Sequence, residues 1–405
     1  MPTLRSRLLS WLLLAGGAAV GALSAAVAYL VASGITSALS LSLLVAAAAF
    51  LAGGSRAMRP AARRIAPGRP RRFALAAAGA AGLAFVLLSA LSILADRLAP
   101  APGPAGPAVL RALRSGTVPL RTVRAGSGFD DLRPLETVLR GRRIVALGEA
   151  SHGTSEFFRM KHRMLEFLVR EMGFAHFAME LSPEDGQVID AYIHGAPTDP
   201  RRVLYWPWAT TEVMEMIEWM RAYNAERGSA PGLTFHGIDP LSGDRDPVMA
   251  ANVSRLLARA GPEARVVLWA HNGHISRGPG WMGSYLKREF GDQAYLLGFE
   301  LDHGRFTSHM STVRTYGVAP APPAYYAHAL AQLDAPILFL DFRTMERVPA
   351  LRAWLREPRS SHELQELHAV YRLRPAWHTL HTPWPELYDG MIFVEESTPA
   401  AGLRD

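Results

Sequence analysis

Apolar positions along this chain fall into two regimes. From Leu8 to Ser55 no residue is charged, and residues 73–95 form a second apolar run. A helix crossing a bilayer needs about 20 apolar residues, so the first run can hold two spans, broken near Ser33-Gly34, and the second run a third. Beyond about Phe129 the apolar residues come in short bursts. Residues 144–147, 174–179, 233–238, 266–269, 295–299, 337–340 and 391–394 have the length of buried strands, and 307–310 and 369–373 are candidates for extra or edge strands. Between 155 and 172, Phe157, Met160, Met164, Leu165, Leu168 and Met172 recur at helical spacing, with Thr154 or Ser155 placed to cap the start and Gly173 to close the end. A second helical pattern covers 212–226. Alternation of this kind predicts an α/β domain with a largely parallel sheet flanked by helices, preceded by an N-terminal transmembrane helical region.

Charge sharpens the division. Residues 1–126 hold 14 arginines, no lysine and one acid, Asp96, a net of +13; the remainder holds 29 basic and 35 acidic residues, a net of −6. The overall +7 therefore belongs to the N-terminal part, and no basic face for nucleic acid is expected on the folded domain. Arg56, Arg59, Arg63, Arg64, Arg69, Arg71 and Arg72 lie between the second and third expected spans. The positive-inside rule puts that linker (about residues 54–72) and the N-terminus in the cytoplasm, and an odd number of spans puts the rest outside. The expectation is a multi-pass membrane protein: three spans over 1–98, a Pro/Ala/Gly-rich linker over 99–128, and an extracytoplasmic domain over 129–405, with the lipid bilayer as a partner. There is no cysteine, which excludes disulfides, a cysteine nucleophile and cysteine metal sites.

The strand ends carry the chemistry. Glu149 and His152 follow the first strand, Glu180 the second, Asp239 the third, His271 and His274 the fourth, and Glu300 the fifth; Asp341 and Arg343 end the next. In a parallel sheet such ends share one edge, where open α/β sheets place their ligands. Ser151 is outside the Gly-x-Ser-x-Gly elbow and reads as a turn residue. Two chemistries remain. A water can be activated by a neutral imidazole with an orienting carboxylate, which His152 with Glu149 or Glu180 would supply. Alternatively, His152, His271 and His274 with nearby acids could ligate a metal, although no His-Glu-x-x-His is present. Lys161 sits two turns into the helix after His152, and Tyr205-Trp206-Pro207-Trp208 forms an aromatic cluster able to wall a cleft. His162, His176, His194, His236, His303 and His362 read as structural.

Several of these stretches resemble the erythromycin esterase family. They are Val-Ala-Leu-Gly-Glu-Ala-Ser-His-Gly-Thr-Ser-Glu-Phe-Phe-Arg-Met-Lys-His-Arg from Val145, Phe-Ala-Met-Glu ending at Glu180, Glu-Trp-Met-Arg-Ala-Tyr-Asn from Glu218, and Trp-Ala-His-Asn-Gly-His ending at His274. The resemblance covers roughly residues 129–398. It implies an α/β core with inserted helices and a deep cleft, and a hydrolase whose motif histidine activates water without a required metal or cofactor; characterised members open macrolide lactones. Carried onto this chain, it implies His152, Glu149, Glu180 and His271 as catalytic groups. Lys161, His274, Trp206, Trp208 and Asp239 become candidates for binding a small-molecule ester or lactone. Lys161 falls where some macrolide-hydrolysing members have arginine; lysine keeps the charge but loses the guanidinium fork. The rival expectations are a metal-dependent hydrolase built on the same residues and a non-catalytic, anchored ligand-binding envelope protein.

Overall fold

The computed structural model describes residues 102–230, 232–309, 313–364 and 379–403. Helix α1 (Pro107–Gly116) and strand β1 (Val118–Pro119) come first, followed by α2 (Arg133–Leu139) and β2 (Ile144–Leu147). Next are α3 (Ser155–Met172), β3 (His176–Met179), α4 (Pro183–Ile193), α5 (Thr211–Arg227), β4 (Thr234–Gly237) and α6 (Arg245–Ala260). Strand β5 (Val266–Trp269) leads into α7 (Asn272–Ile275), α8 (Met282–Phe290), the long β6 (Ala294–His309) and β7 (Val313–Val318). Then come β8 (Ile337–Asp341), β9 (Ser361–His362), β10 (Thr379–Leu380) and β11 (Gly390–Ser397). Among the described residues, nine strands form one sheet in the order β1-β8-β11-β6-β2-β5-β3-β4, with β7 beside β6; β9 and β10 pair separately.

Six strands from β11 to β4 run parallel, while β8, β1 and β7 pair antiparallel to their neighbours. All four residues of β2 and of β5 are buried, as an unbroken apolar run requires when both faces of a sheet are covered. On one face Ile144, Ala146, Val266 and Leu268 pack with Met249, Val253 and Leu257 of α6 and Met282 and Leu286 of α8. On the other, Phe158 of α3 meets Trp269 and Phe157 meets Phe299, with centroids 5.1 and 5.6 Å apart.

Helix α3 has the expected bounds, and Gly173 ends it at φ 72°. Its start differs: Thr154 occupies the cap position without a side-chain cap bond, its hydroxyl going to Ser151 Oγ, while Ser155 Oγ donates to Glu212 of α5. The strand 295–299 extends through residue 309 and so absorbs most of the expected edge strand at 307–310. The candidate strand at 369–373 lies outside the described residues.

Two expectations are corrected. Residues 107–119, expected to be linker, form α1 and β1; Leu113 is fully buried and Val118 pairs with Phe339. The segment beyond them is tied down by Arg163, whose guanidinium reaches Asp131 (2.6 and 3.0 Å) and the carbonyls of Thr122 and Gly128. Burial would raise the Asp131 carboxyl, but Arg163 and backbone N–H groups together outweigh it and the group is lowered to about 2.

The second correction concerns the membrane. Among the described residues no helix is long and apolar enough to cross one. This overturns the expected multi-pass protein with an extracytoplasmic domain. Helix α3 is long enough, but it carries Glu156, Arg159, Lys161, Arg163, Glu166, Arg170 and Glu171. The runs expected to span, within 8–55 and 73–95, lie outside the described residues.

Candidate active site

Register explains why distant residues meet. Leu147 pairs with Trp269, Trp269 with Met179, and Met179 with Gly237, so four parallel strands end level. Glu180, Asp239, Glu149 and His271 follow within one or two residues of those ends and share one edge of the sheet. Strand β2 is central, with β5 on one side and β6 on the other. Asp341 does not join this edge: β8 runs antiparallel to β11, and Asp341 pairs with Gly390, the first residue of that strand. It instead accepts a hydrogen bond from Tyr295 near the start of β6 (2.9 Å).

The turn after β2 is built by close approach. A Cβ at Gly148 would collide with Asn272, and one at Gly153 with the carbonyl of Thr307. Gly148 is therefore required for space rather than for a left-handed turn. Glu149 is fully buried; its Oε1 lies 3.0 Å from His152 Nδ1, and its Oε2 contacts Lys161 Nζ. Lys161, also fully buried, sits 4.4 Å above the Trp269 ring. Burial drives its amine well below the usual lysine value, against the opposing pull of Glu180. The His152 side chain is 20% exposed, and its ring lies edge-on to Trp208 (5.4 Å) and 4.7 Å from the ring of His271.

Beside this pair is a network of charges. Glu180 Oε1 accepts from Arg245 (2.8 Å) and lies 3.1 Å from His274 Nε2, and Oε2 accepts the backbone N–H of His271 (3.0 Å). Burial would raise the Glu180 carboxyl, but His274's hydrogen bond and charge, with the other partners, hold it well below the usual range. Asp239 takes two bonds from Arg245, 2.9 and 2.6 Å. His274 Nδ1 is 2.8 Å from Asp246. Burial would lower His274, yet the carboxylates at both nitrogens push it up to about 10. His271 moves the other way: burial first, then the charge of His152, push it well below the ordinary histidine value. Its Nδ1 lies 3.2 Å from the Gly273 N–H and 3.3 Å from Glu363 Oε1.

The expected residues thus separate by what they touch. Glu149, His152, Lys161 and His271 cluster, and Trp208 packs on His152. Glu180 links them to the network. His274 and Asp239, expected to bind substrate, have their polar atoms committed to Asp246, Glu180 and Arg245. Trp206 stands next to Pro207 at a cis peptide bond and is half-buried. Arg245, Asp246 and Glu363 were not singled out from the sequence. The first two stand in Asp-Arg-Asp at the start of α6, a pattern that reads equally as a helix start; Glu363 has no local signal. His362, read as structural, is buried with Nδ1 2.8 Å from Glu300 Oε1.

Among the described residues, Glu149, His152 and Glu180 offer atoms within 4.8 Å of one another, close enough to consider a metal. They fit one poorly. Lys161 and His152 already face Glu149, and Arg245, His274 and a backbone N–H face Glu180. A divalent ion would add positive charge beside Arg245 and His274 and would displace the contacts of Glu149. The alternative ligand set of His152, His271 and His274 fails at His274, whose nitrogens both face carboxylates.

Parts of the chain are similar to known proteins. The chain is 36% identical over 124 residues to erythromycin esterase type II of Escherichia coli, 30% of this chain and 29% of that one. It is 35% identical over 115 residues to the putative hydrolase YbfO of Bacillus subtilis strain 168, 27% and 25% of the two chains. The matched segments thus span under a third of either relative. Among solved structures, a succinoglycan biosynthesis protein superposes with a TM-score of 0.63 at 21% identity, over 73% of this chain and 98% of that one. An erythromycin esterase mutant in its open conformation gives 0.54 at 14%, over 69% and 96%. These two likenesses speak to the fold alone. The erythromycin esterase family model matches residues 169–244 and 240–397, which carry Glu180, His271 and His274, and begins after the turn that holds Glu149 and His152. With that match over more than half its length, the chain belongs to the erythromycin esterase family.

Proposed function

We propose that this chain hydrolyses a carboxylic ester or lactone, with His152 as the general base and no metal in the step. The observation that carries this reading is the buried Glu149 carboxylate 3.0 Å from Nδ1 of a histidine that itself reaches solvent. A carboxylate at Nδ1 holds the proton there and leaves Nε2 to act as a base, the logic of a histidine–carboxylate pair. Water oxygen adds to the carbonyl carbon as one of its protons passes to His152 Nε2. Glu149 stabilises the imidazolium that forms. The carbonyl oxygen becomes an oxyanion, and Lys161 or His271 donates to it. When the carbon–oxygen bond to the leaving group breaks, the imidazolium returns its proton to the departing alkoxide. A simple ester yields an acid and an alcohol; a lactone yields one hydroxy acid. The family and the Escherichia coli relative make macrolide lactones the first candidates, alongside simpler esters.

The test is turnover by the full chain on a panel of aryl and alkyl esters and a macrolide lactone, with and without chelator. Hydrolysis that survives chelation and disappears in His152→Asn is expected. Loss on chelation with recovery on added Zn²⁺ would reject the metal-free step, and an inert panel would reject the ester reading.

A further inference from the structure

The contact between His271 and Glu363 has consequences for the attacking water. His271 Nδ1 has two neighbours that ask opposite things of it. The Gly273 N–H donates a hydrogen bond to it (3.2 Å) and so asks for a lone pair; the Glu363 carboxylate oxygen, a charge contact at 3.3 Å, asks for a proton. A hydrogen bond to an ionised acceptor is roughly twice as strong as one between neutral groups. If Nδ1 kept its lone pair, that lone pair would face a carboxylate oxygen in buried surroundings. The Glu363 side chain is only 13% exposed and that of His271 only 4%. In such surroundings a carboxylate this close favours a proton on Nδ1 over the lone pair that the Gly273 N–H uses.

Glu363 is also rigidly mounted. The N–H before it, on His362, donates to Glu300 Oε2 (2.9 Å), and the N–H after it, on Leu364, donates to the carbonyl of Ala150 (2.7 Å). Ala150 lies between Glu149 and His152. One segment, 362–364, is therefore bonded to the turn that carries the first histidine–carboxylate pair while its side chain addresses the second histidine. The two rings are 4.7 Å apart. His271 Nε2 is buried and makes no hydrogen bond to any described protein group.

We propose that Glu363 is a positioning residue that keeps the proton of His271 on Nδ1, so that Nε2 turns a lone pair toward His152 and the two imidazoles together hold the attacking water. This rests on the ester-hydrolase reading above. One water proton is transferred to His152. The other stays on the oxygen, hydrogen-bonded to His271, and leaves with the carboxylic acid product. With its Nε2 acting as acceptor, His271 cannot also donate to the oxyanion, so that task falls to Lys161.

The experiment reads the imidazole nitrogens of the full chain, labelled with ¹⁵N-histidine, by NMR at neutral pH. The His271 signals are identified by their loss in His271→Asn. The expected wild-type pattern is a protonated Nδ1 and an unprotonated Nε2. In Glu363→Met, where Gly273 N–H is the remaining partner of Nδ1, the pattern should reverse. In the same variant kcat should fall about 10²-fold, within the range for residues that orient a working histidine, with KM changed less than about twofold. Glu363→Gln, which keeps the shape and an acceptor oxygen, should recover part of the rate. A wild type already protonated on Nε2, or a Glu363→Met chain with an unchanged His271 pattern, overturns the assignment. Absence of His152-dependent turnover would defeat the hydrolase reading instead, and the nitrogen signals would still decide whether Glu363 sets the tautomer.

Discussion

His271 and His274 stand three residues apart on one turn after β5, and the protein treats them in opposite ways. His274 has a carboxylate at each ring nitrogen and is pushed up to about 10. His271 is buried beside a second histidine and is pushed well below the ordinary value. The same contrast separates the two glutamates. Glu180 faces Arg245, His274 and a backbone N–H, a network with its charges matched. Glu149 faces one histidine and a lysine whose charge is itself disfavoured by burial. The network is suited to hold geometry, because its partners hold Glu180 as the carboxylate and His274 as the cation. The His152 side is suited to move a proton, because its histidine reaches solvent and burial disfavours the charge of the lysine beside it.

The sharpest way to break this comparison is to exchange the expected losses. His152→Asn should reduce turnover about 10²–10⁴-fold, the usual loss for a positioned general base, while the thermal midpoint stays nearly unchanged. A large drop in stability with normal specific activity would reverse the roles of the two sides. Arg245→Met should do the opposite first. It removes the side-chain partner of the buried Asp239 carboxylate and one of the partners of Glu180, and leaving a buried charge unpaired costs about 3–5 kcal/mol, read as a lower denaturant midpoint.

His274 sharpens the comparison through pH. Its folded pKa lies above the unfolded value of about 6.5. The folded state therefore binds the extra proton between that value and about 10. Its contribution is complete below pH ~6.5 and is lost as pH rises toward 10. Denaturation curves should show stability falling across that window, by on the order of 2 kcal/mol or more. His274→Gln should start lower and lose most of the alkaline slope; a slope identical to wild type would mean that His274 is not held as the cation. The smallest effect concerns packing on the other side. Phe158 meets both Trp208 and Trp269, and Trp208 meets His152. Phe158→Leu should cost about 1 kcal/mol and lower kcat slightly, with no change in salt sensitivity. A salt-dependent loss would show that charge, not packing, supports the His152 ring.

Much of the scaffold is legible in the sequence because it is local. The unbroken apolar run at 144–147 needs a sheet covered on both faces, and the periodicity of 155–172 needs a helix with one buried side. Strand ends carrying Glu149, Glu180, Asp239 and His271 follow from the same reading, since neighbouring residues determine where a strand stops. Length alone does not make a membrane span: α3 is long enough but carries charged residues along its length, and among the described residues no helix is suited to cross a membrane. Likewise, the Pro- and Gly-rich stretch before Phe129 hid a helix whose Leu113 finds its burial only against the rest of the domain.

Tertiary structure alone decided what each polar residue does. Asp341 looks like the other strand-end acids, but strand direction, a property of pairing, sends it to the opposite edge. Arg163 and Asp131 are 32 residues apart, Glu180 and Arg245 are 65 apart, and Glu363 meets the turn after β5 through a segment pinned to Ala150. Charge state follows from such encounters, because desolvation and the nearest opposite charge set a pKa, and neither is written in the neighbouring residues. His271 and His274 occupy adjacent places in one motif, and only the groups brought to them from four other parts of the chain make one a neutral imidazole and the other a cation.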